Sequence, residues 1–148
     1  MDTVTKVGLR LLSVHKALYQ RSGGRIGHRL LGVPTLLMTT TGKRTGTRRT
    51  SALTYARDGD DYVVVASVGG ADEAPAWLAN IKADPNVDVQ IGRRRFGAVA
   101  RVVERDDPDH ARLWRIANDN NFDRYDRYQR KTARPIPVVV LTPRPPGT

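Results

Sequence analysis

Residues 33–68 read VPTLLMTTTGKRTGTRRTSALTYARDGDDYVVVASV, which is three apolar or threonine-rich runs separated by two turn signals. Threonine and branched apolar residues favour strands, whereas the segments GKRTG and DGDD favour turns. Short connections of this kind join antiparallel neighbours. The stretch therefore predicts an antiparallel meander of VPTLLMTTT, RRTSALTYAR and YVVVASV. The last strand should be buried on both faces, because its apolar run is nearly continuous.

Helices and strands alternate through the rest of the chain. GGADEAPAWLANIKADPN predicts a helix capped by Asp72 or Glu73, with Pro75 in its first turn and its end at Asp84-Pro85. VDVQIG and FGAVARVVER predict a hairpin turning at RRR. DDPDHARLWRIANDN and NFDRYDRYQRKTA predict two more helices, and IPVVVLTP predicts a final strand. About six mainly antiparallel strands with interposed helices indicate a closed or half-closed β-barrel of the α+β class.

We expect residues 1–148 to form one domain, framed by two terminal segments. Residues 1–22 predict an amphipathic helix, which either packs on the domain or lies on an anionic membrane surface. Its apolar residues recur at steps of three and four: Val4, Val7, Leu11, Val14 and Leu18. Residues 143–148, rich in proline and glycine, should form a loose tail.

The composition restricts the classes of function that are open to this chain. A net charge of +10 points to an acidic partner, and the lack of cysteine excludes disulfides, thiolate metal sites and cysteine nucleophiles. The three histidines, at 15, 28 and 110, have no ligand-like spacing, so no metal site is predicted. No nucleophile–base motif is present, so a cofactor should carry any difficult chemistry.

Three segments are candidates for binding. TTTGKRTGTRR, residues 39–49, holds two glycines, five threonines and four cations, a composition suited to an anion such as phosphate. VVVASVGGADEAPAWLAN joins a strand to a helix through Gly69 and Gly70, where N–H groups can meet an anion. In NFDRYDRYQR, three-residue spacing would put Phe122, Tyr125 and Tyr128 on one helix face. From the residues alone, a solvated hairpin, a plain turn and a core stripe remain the alternatives.

In this order and spacing, the three segments resemble the deazaflavin-dependent nitroreductase family, and the resemblance continues through YDRYQRKTARPIPVVVLTP. It implies a split β-barrel that uses coenzyme F420, an 8-hydroxy-5-deazaflavin with a phosphate and an oligoglutamate tail. The implied reaction is hydride transfer from the reduced deazaflavin to an electron-poor acceptor such as a quinone or nitro-heterocycle. No catalytic nucleophile is implied. We expect a cytoplasmic enzyme, or one attached peripherally to the inner face of the membrane.

The resemblance also implies site residues. Those assigned to the cofactor are Lys43, Arg44, Thr45, Arg49, Thr50, Ser51, Leu53, Val65, Ala66, Ser67, Val68, Trp77 and Asn80. Those assigned to the acceptor are Thr54, Ser67, Phe122, Tyr125 and Tyr128, with Ser67 and Tyr128 as candidate proton donors.

The chain departs from familiar members of that family at four positions. Ala52 stands where a proline is common, Thr54 and Phe122 where tyrosines are common, and Val68 where a lysine is common. Two other hypotheses stay open: an FMN-binding split barrel, and a basic nucleic-acid-binding module whose affinity would fall steeply with salt. We expect no nucleic-acid partner.

Overall fold

The computed structural model of the protein describes residues 29–30 and 33–145. The strands are β1 (Arg29–Leu30), β2 (Val33–Thr41), β3 (Arg48–Thr54), β4 (Ala56–Asp58), β5 (Asp61–Val65), β6 (Asn86–Ile91), β7 (Arg94–Val103) and β8 (Val138–Pro143). The helices are α1 (Ala76–Ala83), α2 (His110–Asp119) and α3 (Arg124–Arg130).

The strands form one antiparallel sheet that returns on itself. Hydrogen-bonded neighbours follow the order β1-β2-β6-β7-β8-β5-β4, and β3 pairs with β2. Only Tyr55 separates β3 from β4, so the path from β4 re-enters the sheet beside β2. This curled antiparallel sheet with interposed helices confirms the predicted α+β split barrel.

The predicted strand RRTSALTYAR is wrong as a single element. Its first part pairs with β2 from Thr54 opposite Thr35, and its second part pairs with β5 from Ala56 opposite Val63. The chain changes partner at Tyr55. Together with the short β1, this break raises the number of described strands to eight.

Alternation along the strands divides the interior into two apolar clusters. In β5, Tyr62 and Val64 pack in the cluster that includes α1, whereas Val63 and Val65 pack in the cluster beneath α2 and α3. Four consecutive residues of β5 are buried, which confirms the prediction of burial on both faces. The sheet is thus a wall between two cores.

Helix α1 ends where the sequence predicts and begins differently. Trp77, Leu78 and Ile81 are buried, and the helix stops before Asp84. Pro75 occupies the cap position and no side chain caps the helix, so the predicted cap at Asp72 or Glu73 is wrong. Asp72 instead accepts a hydrogen bond from the Thr132 hydroxyl over 2.6 Å.

Both predicted terminal segments extend beyond the described residues. The amphipathic helix predicted for residues 1–22 lies outside them. Of the predicted tail, Pro143 closes β8 and the Arg144 N–H donates to the Gly97 carbonyl over 2.9 Å. No helix in the described part of the chain is long and apolar enough to cross a membrane.

Candidate functional site

The turn between β2 and β3 is compact because of its glycines and threonines. The Gly42 N–H donates to the Thr47 carbonyl over 2.8 Å, and the Gly46 N–H donates to the Gly42 carbonyl over 2.9 Å. Gly46 has φ +70°, a left-handed conformation that glycine adopts without strain. A Cβ on Gly42 would lie 2.9 Å from the Thr45 hydroxyl oxygen. The turn therefore holds its basic residues on a tightly closed backbone.

This turn is anchored to α1 through Asn80. The Lys43 N–H donates to Oδ1 of Asn80 over 3.0 Å, and Nδ2 of Asn80 donates to the buried Thr40 hydroxyl over 3.1 Å. Lys43 and Arg44 are exposed, and no carboxylate of the described residues forms an ion pair with either. The backbone that carries these two cations is thus fixed to the buried side of α1.

Arg48 and Arg49 point to opposite faces of β3. Arg48 forms an ion pair with Asp88 and donates to the Thr41 hydroxyl over 2.7 Å, so its guanidinium is already engaged. Arg49 lies directly opposite Thr40 and therefore shares the face on which Asn80 contacts Thr40. Of the two arginines, Arg49 belongs with the basic turn.

The same alternation sorts the rest of the predicted strand wall. Ser51 and Leu53 share the face of Arg49, and Leu53 packs against the core cluster that contains α1. Thr50 lies on the other face, where its hydroxyl is 2.8 Å from that of Thr39. The structure brings Arg49, Ser51 and Leu53 together and separates Thr50 from them.

The segment after β5 is a turn rather than a direct strand-to-helix junction. Gly69 and Gly70 have φ +58° and +84°, and α1 begins only at Ala76. The Gly70 N–H donates to the Ser67 hydroxyl over 3.1 Å. The N–H groups of Val68 and Gly69 make no hydrogen bond with any described residue. Two backbone donors are therefore available to a ligand.

Five predicted cofactor residues lie in or next to these turns. Val65 and Ala66 are buried in opposite core clusters, while Ser67 and Val68 are half-buried. Trp77 is buried in the same cluster as Ala66. The backbone of this segment, rather than the buried side chains of Val65 and Ala66, is what remains open to a ligand.

The aromatic residues do not share one helix face. Phe122 has φ +55°, precedes α3 and is 62% exposed, so its predicted place on the helix is wrong. Tyr125 is buried, and its hydroxyl lies 2.6 Å from that of Thr54. Burial raises the pKa of the Tyr125 phenol, the nearby Tyr128 phenol adds to the rise, and the Thr54 hydrogen bond opposes it.

Tyr128 connects α3 with the turn after β5. Its ring meets that of Tyr125 edge-on with 5.9 Å between centroids, and it is half-buried. A Cβ on Gly70 would lie 2.8 Å from the Tyr128 carbonyl oxygen, so this close approach requires glycine. Of the three aromatic residues, Tyr128 is the one adjacent to the cofactor-side turn and partly open.

One residue near this turn was missed in the sequence. The Arg134 guanidinium donates to the carbonyls of Ala66 and Ala71, at the two ends of the turn. Arg134 lies within YDRYQRKTARPIPVVVLTP, through which the family resemblance continues, but the sequence predicts no role for it. Only the tertiary contact reveals it.

The described residues show no metal centre. No group of three or more histidine, aspartate or glutamate side chains lies together among them. His110 contacts the Ile136 carbonyl through Nε2 and stacks on Trp114. Asp58 and Asp61 flank the two-residue turn between β4 and β5.

Comparison with known families and curated proteins gives a consistent result. Residues 11–143 match the model of a family described as F420H(2)-dependent quinone reductase. A protein of Mycobacterium tuberculosis named F420H(2)-dependent quinone reductase is 55% identical over 139 residues, which cover 93% of each chain.

The comparison with solved structures is consistent with this family match. One described as a domain-swapped dimer has a TM-score of 0.67 and 32% identity, and the match covers 92% of this chain and 98% of that one. A structure described as an F420-H2 dependent reductase has a TM-score of 0.65 and 36% identity, covering 73% of this chain and 93% of that one.

Proposed function

The chain belongs to the F420H(2)-dependent quinone reductase family, and on that premise we propose that it transfers a hydride from reduced coenzyme F420 to a quinone. The observation that carries the proposal is the bond between Lys43 and Asn80. It places the basic turn, whose Lys43 and Arg44 pair with no described carboxylate, against α1, on the face that Arg49 shares.

The residues present fit the anionic end of this cofactor. Lys43, Arg44 and Thr45 would hold the phosphate, and the Arg49 side chain would contact it from the start of β3. A guanidinium and an ammonium in a closed turn suit phosphate oxygens, because charge-assisted hydrogen bonds are stronger than neutral ones. The net charge of +10 favours approach of the acidic oligoglutamate tail.

The turn after β5 fits the planar end. The N–H groups of Val68 and Gly69, which have no partner within the described chain, would donate to acceptor atoms of the deazaflavin, beside Ser67. The half-buried side chain of Val68 would line the ring, whereas Trp77 stays within the core. When bound, the reduced deazaflavin supplies the hydride.

The chain's own contribution is to orient both reactants and to move a proton. Holding donor and acceptor atoms about 3–3.5 Å apart in an aligned geometry supplies most of the acceleration expected for such a transfer. The Ser67 hydroxyl accepts from the Gly70 N–H, which leaves its proton free for the reduced acceptor. The half-buried Tyr128 is the second candidate donor.

The acceptor would therefore lie against Ser67 and Tyr128. Tyr125 and Thr54 are bonded to each other behind this surface, so they would support it. Phe122, exposed before α3, would stand at its rim. This arrangement revises the roles expected for the three aromatic residues.

The experiment that tests the function is an acceptor panel with F420H2 as the electron donor. The protein should oxidise F420H2 with soluble quinone analogues, followed by the return of oxidised F420 fluorescence. Nitro-heterocycles are tested in parallel, because Thr54, Val68 and Phe122 differ from the residues common among nitroreductases. Oxidation no faster than without protein, for every quinone, would contradict the proposal.

Peripheral membrane attachment through residues 1–22 is a second, independent proposal. It rests on the apolar stripe of Leu11 and its neighbours between basic residues, a pattern typical of interfacial helices. Sedimentation with anionic vesicles tests it in the full chain. Leu11→Glu with Leu18→Glu should abolish pelleting, and equal pelleting of variant and wild type would refute the attachment.

A further inference from the structure

Arg134 is an unusual cation in this molecule. It lies between α3 and β8 and is partly buried, yet none of the described carboxylates pairs with it. Its Nε is buried and donates no hydrogen bond to any described residue. A guanidinium withdrawn from water without a counter-ion costs free energy, so the contacts that it does make require an explanation.

Those contacts are with the two ends of the turn after β5. Nη1 and Nη2 lie 3.4 and 3.3 Å from the Ala66 carbonyl oxygen, and Nη2 lies 3.5 Å from that of Ala71. The span between the two carbonyls contains Val68 and Gly69, whose N–H groups bond to no described residue. One planar group thus fixes both ends of the segment whose middle is open.

Neighbouring contacts hold Arg134 in place. The Arg134 N–H donates to the Thr132 hydroxyl oxygen over 3.1 Å, and that hydroxyl donates to Asp72. Nε2 of Gln129 donates to the Arg134 carbonyl over 2.8 Å. The segment from Gln129 to Arg134 therefore joins the end of α3 to the turn after β5, alongside the contact between Gly70 and Tyr128.

We propose that Arg134 is a positioning residue for the cofactor: it holds the Ala66 and Ala71 carbonyls so that the Val68 and Gly69 N–H groups stay open to the deazaflavin ring. The inference deepens the proposed function and rests on it. Lysine cannot replace arginine fully, because a single ammonium lacks the rigid fork that reaches two carbonyls at once.

The test compares Arg134→Met and Arg134→Lys with Arg130→Met, a control that removes an exposed arginine of α3 with no described partner. Amide hydrogen exchange of the free protein measures directly how firmly the turn after β5 is held. In Arg134→Met, the amides of Ser67, Gly70 and Ala71 should exchange about tenfold faster or more, while the β2–β3 ladder stays protected.

Cofactor binding is the second readout. The Kd for F420 should rise about tenfold in Arg134→Met, less in Arg134→Lys, and not at all in Arg130→Met. If Arg134→Met does not fold, Arg134→Lys carries the same comparison, because it keeps the charge and the apolar stem.

The possible results distinguish a failure of the positioning role from a failure of the proposed function. Unchanged turn exchange and unchanged F420 affinity in both Arg134 variants would overturn the positioning role while the function stands. Exchange that rises throughout the sheet would mean a general structural role and would also overturn it. Failure of the wild type to bind F420 would reject the proposed function and the inference toward the cofactor, whatever the exchange result.

Discussion

The backbone N–H of Lys43 donates to Oδ1 of Asn80 over 3.0 Å, across the gap between the β2–β3 turn and α1. Asn80 is buried and its amide also donates to Thr40. One asparagine therefore fixes the position of the basic turn relative to the helix.

Replacing Asn80 should affect stability and binding together. Asn80→Ala leaves the buried Thr40 hydroxyl and the Lys43 N–H without partners, which should lower the free energy of unfolding by about 1–3 kcal/mol. F420 affinity should fall as the turn loosens. Thr40→Val is the control, because it removes only the Thr40 partner and should leave F420 affinity near the wild-type value. Denaturant unfolding and F420 titration measure the two effects.

Lys43 and Arg44, the two cations at the tip of the β2–β3 turn, should govern the affinity for F420 rather than the rate of hydride transfer. Lys43→Ala with Arg44→Ala should weaken F420 binding about tenfold or more, since two charge-assisted contacts are lost. Hydride transfer at saturating F420 should change little. Arg93→Ala with Arg95→Ala removes the same charge from exposed positions around the β6–β7 turn. Equal losses in both pairs would mean that general electrostatics, and not the tip, attracts the cofactor.

Arg48 and Arg49 are adjacent in β3, and replacing each should affect F420 binding differently. Arg49→Ala should weaken F420 binding about tenfold, because Arg49 shares the face of Thr40 and has no described ion-pair partner. Arg48→Ala should leave affinity unchanged, because Arg48 is bound to Asp88 and Thr41 on the other face. The reverse ranking in F420 titrations would show that the face assignment is wrong.

Tyr125 should make stability depend on pH at the alkaline end. Burial raises the pKa of its phenol above the ordinary 10.0. Below about pH 10 neither the folded nor the unfolded state ionises Tyr125; above it the unfolded state loses its proton first, so stability falls as pH rises. Unfolding free energies should therefore fall more steeply above about pH 10 in the wild type than in Tyr125→Phe. Identical slopes would contradict this assignment.

The sequence predicts most elements of the fold and the segments that form the proposed site. The 33–68 meander and the helix over Trp77 and Ile81 follow from local periodicity and turn residues. The change of partner at Tyr55 does not, because it depends on pairing with β2 on one side and β5 on the other. No local pattern encodes that choice.

The differences at the site also have physical causes. Spacing suggests that Phe122 belongs to a helix face, but positive φ values at Phe122 and Asp123 delay the helix to Arg124. Composition shows that residues 39–49 are basic, whereas only the strand register separates Arg48 from Arg49. The sequence predicts no role for Arg134, because its contacts are with two carbonyls about sixty-five residues away.

Fluorescence titration of the purified full chain with F420 tests the central claim most directly, since every other expectation presupposes this binding. Saturable binding with a Kd in the micromolar range or tighter is predicted, and FMN titrated in parallel should bind far more weakly. A titration that never saturates, or FMN affinity equal to that for F420, would contradict the claim.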